Sequence, residues 1–271
     1  NQIRWLLGAL AVGALLMLSA GLYLAHLRNQ VPVIVFVDMY ESLMLSAFPS
    51  AERAYRYGVG HFSSVPDARY DLSLARKYMT YALQLDPTFP YAHHQLARIE
   101  FLYGNLSLAE STIDREIELY GENHDKSYYI RGLIRGYAGD LAGAADDYER
   151  FLALHPLSWA AHVDYAWVLL KQERNAEAVE VLSHGLALHP QNPWLLNLNG
   201  VALHALGYDG PALDSFMLAK TAAVAVTDDE WHRAYPGNEP GTAPVGVATL
   251  RSSIEENIHR IHTEASEGAV H

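Results

Sequence analysis

One spacing dominates this chain. Ala144, Ala178 and Ala212 follow one another at intervals of 34 residues, and Ala75 and Ala109 are also 34 apart. Pro156 and Pro190 keep the same interval, while Gly132 to Gly200 and Gly139 to Gly207 each span two periods, 68 residues. The 35 residues from Gly104 to Gly139 mark one insertion between the second and third periods. Within a period the apolar and small residues recur at helical spacing, as in Ala75, Met79, Ala82 and Leu85. A repeat of this length predicts a stack of short helical units, each unable to bury its apolar face alone. A fold built round a single central core is excluded.

The clearest period is Tyr128-Tyr129-Ile130-Arg131-Gly132, followed by Gly139-Asp140, Ala144, Tyr148, Leu152 and Pro156. This resembles the tetratricopeptide repeat (TPR) family, in which a large residue, two glycines, a small alanine, an aromatic and a terminal proline hold those places. Gly132 and Ala144 are small where the two helices of a unit cross. Gly139 suits a turn with positive φ, and Pro156 ends the second helix. Five units are expected over residues 51–226. The unit at 159–192 carries Glu173 where glycine is expected. The unit at 193–226 has Gly200, Gly207, Ala212, Phe216 and Ala219 but no closing proline. The unit at 90–124 keeps Gly104 and Ala109 and also lacks that proline. The first, at 51–89, has an irregular first helix with Gly58, Gly60 and an apparent insertion, Ser63–Asp67. The expected fold class is all-α, a TPR helical solenoid with an N-terminal transmembrane helix and a C-terminal helix.

Composition narrows the chemistry. Nineteen Lys and Arg against 31 Asp and Glu give a net charge of −12, which argues against a nucleic-acid partner. There is no cysteine, hence no disulfide, thiolate metal site or cysteine nucleophile.

Residues Trp5 to Ala25 contain no side chain charged at neutral pH. As a helix they would extend about 31 Å, the thickness of a bilayer's hydrocarbon core. Residues 1–30 are read as a transmembrane anchor rather than a cleaved signal peptide, although Ser19-Ala20-Gly21 offers small residues for cleavage. Ala9, Gly13 and Ala20 fall roughly on one face, open to close helix packing. The expected location is a single-pass bacterial inner membrane protein with a periplasmic soluble domain. Residues 31–50 form an amphipathic connector, with Val37, Tyr40, Met44 and Phe48 able to share a face.

Beyond the repeats, residues 227–248 hold Asp228-Asp229-Glu230 and then Pro236, Gly237, Pro240, Gly241, Pro244 and Gly246, an extended or mobile connector. A last helix is expected over about 247–264 within the C-terminal segment 249–271, with Leu250, Ile254, Ile258 and Ile261 along one side. It either caps the stack, folds into its groove or docks on a partner.

The TPR resemblance implies a ligand groove lined by the first helix of each unit. Carried over by position, that groove comprises Tyr91, His94, Arg98, Lys126, Tyr129, Leu133, Tyr137, Val163, Trp167, Lys171, Trp194, Asn197, Val201 and His204. The family's carboxylate clamp, a matched set of Lys, Arg and Asn, is not visible. Aromatic lining suits an amphipathic helix or apolar peptide. Glu255, His259 and His262 are spaced to share a helix face and ligate an ion, but lack further ligands, so no metal and no cofactor are expected. The acids Asp146-Asp147 and Asp228–Glu230 read as solvated charge, and His155 and His189, in loops, have no assigned role. No nucleotide-binding or hydrolase motif occurs, and the chain reads as non-catalytic. The expected function is a membrane-anchored scaffold or accessory subunit with protein partners; the alternative is an envelope assembly factor that grips client polypeptides transiently.

Overall fold

Polar caps and prolines set where the helices begin and end. The computed structural model describes residues 19–21, 23, 33–63, 70–235 and 238–268. In chain order its α-helices are α1 (Val33–Ala47), α2 (Ala51–His61), α3 (Leu72–Leu85), α4 (Ala92–Leu102), α5 (Leu106–Tyr120), α6 (Lys126–Ala138), α7 (Leu141–Leu154), α8 (Trp159–Lys171), α9 (Asn175–Leu188), α10 (Pro193–Ala205), α11 (Asp209–Ala223), α12 (Asp228–Ala234) and α13 (Ala243–Gly268). Ser50, Asp71, Asp140, Ser158 and Asn192 each accept a backbone N–H from the turn that follows. These donors have no partner inside the helix, so each cap stabilises a start. At the other end, α3, α7 and α9 stop at Leu85, Leu154 and Leu188, each two residues before Pro87, Pro156 or Pro190. Proline supplies no N–H and forces the preceding residue out of helical backbone.

Five consecutive pairs, from α2–α3 to α10–α11, correspond to the five sequence periods. In four of the five pairs the turn is left-handed. Gly104, Gly139 and Gly207 have φ of +76°, +94° and +79°, and Glu173, at the position lacking glycine, adopts φ of +60°. The chain path imposes the turn even where the residue disfavours it. Where paired helices cross, glycine makes room for an aromatic ring: a Cβ on Gly200 would lie 2.5 Å from Phe216, and one on Gly132 would lie 3.1 Å from Tyr148.

The described residues gather into two compact units. The first runs to Leu96, apart from residues 64–66. Here Leu45 of α1 is buried with Ala54, Tyr78 and Ala82. The buried face of α1 is therefore Glu41 and Leu45, whereas Tyr40 and Phe48, expected on the apolar face, are exposed.

The second unit runs from Ala97 to the C-terminus. First helices lie side by side, α6 against α8 and α8 against α10, while each second helix packs on the next first helix. After the last pair, α13 packs on α11 and α10, the place a further first helix would take. Its Leu250, Ile254 and Ile261 are buried, Ile254 against Ala219 and Ala223, Ile261 with Phe216. Arg251 donates to the carbonyls of Ala223, Val224 and Val226 at 3.1–3.2 Å, satisfying acceptors left open at the end of α11. Of the outcomes open to the last helix, the structure shows the cap. That helix begins at Ala243, and the preceding stretch contains α12, so residues 227–242 are not simply an extended linker.

The expected location is corrected. Among the described residues no helix is long and apolar enough to cross a membrane. Helix α1 would span only about 22 Å, and α13, though 26 residues long, carries Arg251, Glu255, Glu256, Arg260, Glu264 and Glu267. A single-pass inner membrane protein with a periplasmic domain is not supported. The run Trp5–Ala25 that suggested an anchor lies outside the described residues except for Ser19, Ala20, Gly21 and Tyr23, and so do Ala9 and Gly13; Ala20 is helical and exposed.

Candidate functional site on the first-helix face

Helices α6, α8 and α10 bring a set of aromatic and polar side chains onto one face. Tyr137 stacks on Trp167 with centroids 5.6 Å apart, and Lys171 lies over the same indole at 5.7 Å. Gly136 permits this approach, since a Cβ there would sit 3.3 Å from Trp167. Trp194 stacks on Trp159 at 5.1 Å. Tyr137 is 62% exposed and offers its ring to an incoming group.

A carboxylate lies in the middle of this surface. The Tyr129 hydroxyl donates to Asp164 Oδ2 at 2.6 Å. Burial pushes the Asp164 carboxyl up to about 6, with the Tyr129 hydrogen bond pulling the other way. Tyr129 is itself held well above the usual tyrosine range, by burial and then by the Asp164 charge. Arg98 lies close enough to Tyr129 to favour the phenolate, but burial prevails.

The chain that follows the repeats also reaches this face. Tyr235 lies edge-on to Trp194, with ring centroids 6.4 Å apart. Burial pushes Tyr235 up to about 12, with Asp164 and Tyr137 adding to the rise. Next to it a cleft of about 670 Å³ opens between Trp159, Trp194, the 190–193 loop, the end of α11 and α12, with Glu230 and Arg233 at its rim.

The predicted groove residues fall into distinct settings. Tyr91 and His94 belong to the first unit, where their rings meet edge-on at 5.9 Å. Tyr129, Tyr137, Trp167, Lys171 and Trp194 meet as described, Leu133 and Val163 are half-buried on the same helices, and Lys126 is exposed at the start of α6. Asn197, Val201 and His204 face the capping helix instead: Asn197 accepts from Asn257 at 3.1 Å, Val201 packs in the cluster of Phe216 and Ile261, and His204 pairs with Glu264 at 3.3 Å and Asp209 at 2.7 Å.

Asp164, Tyr235, Trp159 and Arg251 were not anticipated. Asp164 alone left a signal, as the single acid in the apolar segment Trp159–Lys171.

Other polar clusters take structural parts. Asp147, read as solvated, is 4% exposed and shared between Arg131, in a bidentate pair at 2.7 and 2.9 Å, and Arg135 at 2.9 Å. Two cations one turn apart on α6 offset the cost of its burial. Burial works against the Arg131 charge, but the hydrogen bonds to Asp147 and Asp114 hold its pKa above the usual value. The loop histidines also have partners: His155 meets Asp125 at 2.8 Å, and His189 meets the Leu157 carbonyl at 2.9 Å, each bracing the preceding inter-repeat turn. Glu255 pairs with Lys220 at 2.8 Å, while His259 and His262 are exposed. Among the described residues the group able to converge on a metal ion is Asp38, Glu41 and His61 in the first unit. There Glu41 and His61 already share a buried contact of 2.8 Å, which ties α1 to α2.

No curated protein matches the sequence. Residues 131–193 match the tetratricopeptide repeat family. Among solved structures, the chain is similar to a MamA protein at 17% identity, with a TM-score of 0.56 and coverage of 68% of this chain and 94% of that one. It is similar also to YrrB, a TPR protein with an unusual peptide-binding site, at 15% identity, with a TM-score of 0.55 and coverage of 68% and 93%. At these identities the likeness speaks for the fold. Together with the 34-residue period, the left-handed turns and the small-on-aromatic crossings, it makes the fold a tetratricopeptide-repeat solenoid, the family itself being matched over residues 131–193.

Proposed function

We propose that the protein is a non-catalytic interaction scaffold whose first-helix face binds a polypeptide partner. The observation that carries this reading is the face itself. Tyr137, Trp167, Lys171 and Trp194 present large rings and one cation on rigid neighbouring helices, and the protein's own Tyr235 already lies edge-on to Trp194. Rings of this kind bury much area while few rotamers are frozen. The peptide-binding site of YrrB, a protein of the same fold, supports the reading by analogy. Lack of a nucleotide, hydrolase or metal-protease motif in the sequence supports the non-catalytic part.

A photo-reactive phenylalanine placed at Tyr137, and separately at the exposed Leu188 on α9, tests this in intact cells. The expected result is a covalent adduct with one polypeptide, or a small set, from position 137 and not from 188. Equal adducts from both positions, or none from 137, would overturn it. A fixed stoichiometry would mark a resident subunit, and many substoichiometric adducts a transient assembly factor.

A further inference from the structure

Two acids interrupt an otherwise uncharged helix. In α1, VIVFVDMYESLMLSA, Asp38 and Glu41 are the only charged side chains. They stand three residues apart and so share a face. That face is turned inward, with Glu41 as buried as Leu45 one turn further on. A carboxylate there is costly unless a cation or a metal ion compensates it. The end of α2 meets this face. His61, the last residue of α2, is 1% exposed, and its Nε2 lies 2.8 Å from Glu41 Oε2 and 3.8 Å from Asp38 Oδ1. All three side chains bring a donor atom within 4.8 Å of the other two. The imidazole is held in place: the His61 carbonyl accepts from the Asp71 N–H at 2.9 Å, and the ring is tilted against Tyr78 at 5.6 Å.

One hydrogen bond does not account for this convergence. Nε2 carries at most one hydrogen, and Glu41 lies where it would take it; Asp38 is too far to share it, yet its oxygen is brought to the same nitrogen. Two anionic oxygens round one imidazole nitrogen are the donor set of a metal ion. Bonds of about 2.0–2.1 Å in tetrahedral geometry place ligand atoms about 3.3 Å apart, and the 2.8 and 3.8 Å found here bracket that spacing. The C-terminal end of α2 adds a partial negative charge beside the place a cation would take. An imidazole with two carboxylates suits zinc and its first-row neighbours, whereas magnesium and calcium prefer oxygen alone. Tyr78 joins the group to the apolar cluster of Leu45, Ala54 and Ala82, which shields the inner ligands. The Asp38 side chain, 31% exposed, stands at the edge open to water.

We propose that Asp38 Oδ1, Glu41 Oε2 and His61 Nε2 bind one divalent cation of the zinc type, with water as the fourth ligand, and that the ion clamps α1 onto the first repeat. The ion takes the Nε2 lone pair, so the ring hydrogen resides on Nδ1 and the direct His61–Glu41 contact is exchanged for two bonds to metal. Two carboxylates and a neutral imidazole balance a charge of +2, which turns the repulsion between the two acids into shared attraction. His61 stands 20 residues beyond Glu41, so no local spacing announces the group. The clamp belongs to the first unit and is independent of the reading of the first-helix face.

The test uses the full chain, stripped of metal with a chelator and titrated with zinc chloride by isothermal titration calorimetry. The reference chain carries His259→Ala and His262→Ala, which removes two exposed histidines as weak competing ligands. One zinc ion per chain should bind, and Asp38→Asn or Glu41→Gln in that background should each weaken binding by about a hundredfold. Absence of stoichiometric binding, or binding that survives both substitutions, would overturn the proposal and leave Glu41 and His61 as an ion pair only. Hydrogen exchange read by mass spectrometry gives a second measurement that needs no altered ligand, and so holds even where a variant fails to fold. On the unaltered chain, zinc should slow exchange in peptides spanning residues 38–61 by about tenfold. Unchanged exchange there, or slowing confined to other segments, would overturn the proposal as well.

Discussion

The helix-crossing seams and the first-helix face are made from the same helices on opposite terms. In the seams, glycine lies under a ring at Gly132–Tyr148 and Gly200–Phe216, and Asp147 is neutralised by two arginines. Tyr148 and Phe216 are 1% and 2% exposed, so these rings have no room to move. On the face, rings remain half-exposed, a carboxylate is buried beside a hydroxyl rather than a cation, and in the segment that follows the repeats Trp231 Nε1 and His232 Nδ1 are buried with no hydrogen-bond partner among the described residues. The seams thus carry the stability of the stack, and the face holds unspent interaction capacity for a ligand.

The largest effect should come from breaking the charged seam. Asp147→Ala leaves Arg131 and Arg135 facing each other without their shared carboxylate, and should lower unfolding free energy by about 3 kcal/mol in urea titration. A loss as small as that from a surface substitution would erase the distinction between seam and face.

Next, Gly200→Ala drives a methyl to 2.5 Å from a fully packed ring and should destabilise by about 2 kcal/mol, whereas Gly132→Ala, at 3.1 Å, should lose about 1 kcal/mol. Thermal melts of both variants sharpen the comparison, since the order should follow the clearance.

Asp164 should behave in the opposite sense. Its folded pKa, about 6, lies above its ordinary 3.8, so between these values the folded chain holds more protons than the unfolded one. Stability therefore falls as pH rises from about 4 to about 6 and this contribution levels off above. Asp164→Asn should remove that slope and gain about 1–2 kcal/mol at pH 7 relative to pH 4.5. An unchanged slope in paired urea titrations at the two pH values would show that the carboxyl is not desolvated.

The smallest effect concerns a turn. Glu173→Gly relieves a left-handed backbone at a modest entropic loss in the unfolded chain and should stabilise by about 0.5 kcal/mol. A loss of stability would mean that the Glu173 side chain contributes more than its strained backbone costs.

Much of the fold was readable because it depends on near neighbours. Gly139, Asp140 and Pro156 act on their own turn, cap or terminus, so a local pattern repeated every 34 residues suffices to place five helix pairs. Glu173 broke that pattern in sequence but not in structure, since the packing of α8 on α9 holds the turn whichever residue occupies it. Asp147 was misjudged because its cations stand 16 and 12 residues earlier, on another helix, and nothing local announces them. Of the residues expected to line a groove, Tyr137, Trp167 and Lys171 meet on α6 and α8, while Asn197 and His204 are taken by α13, whose docking the period could not foretell.

By itself, then, the order of residues determined the repeat, its helix boundaries, its turns and the aromatic character of one face, since these follow from backbone preference and from spacing within one or two turns. Only the tertiary structure decided that α13 closes the stack, that Asp147 is buried and that Tyr235 returns to the ring of Trp194. Those contacts join residues many turns apart in the chain, and their energy comes from desolvation and charge pairing that exist only once the helices have assembled.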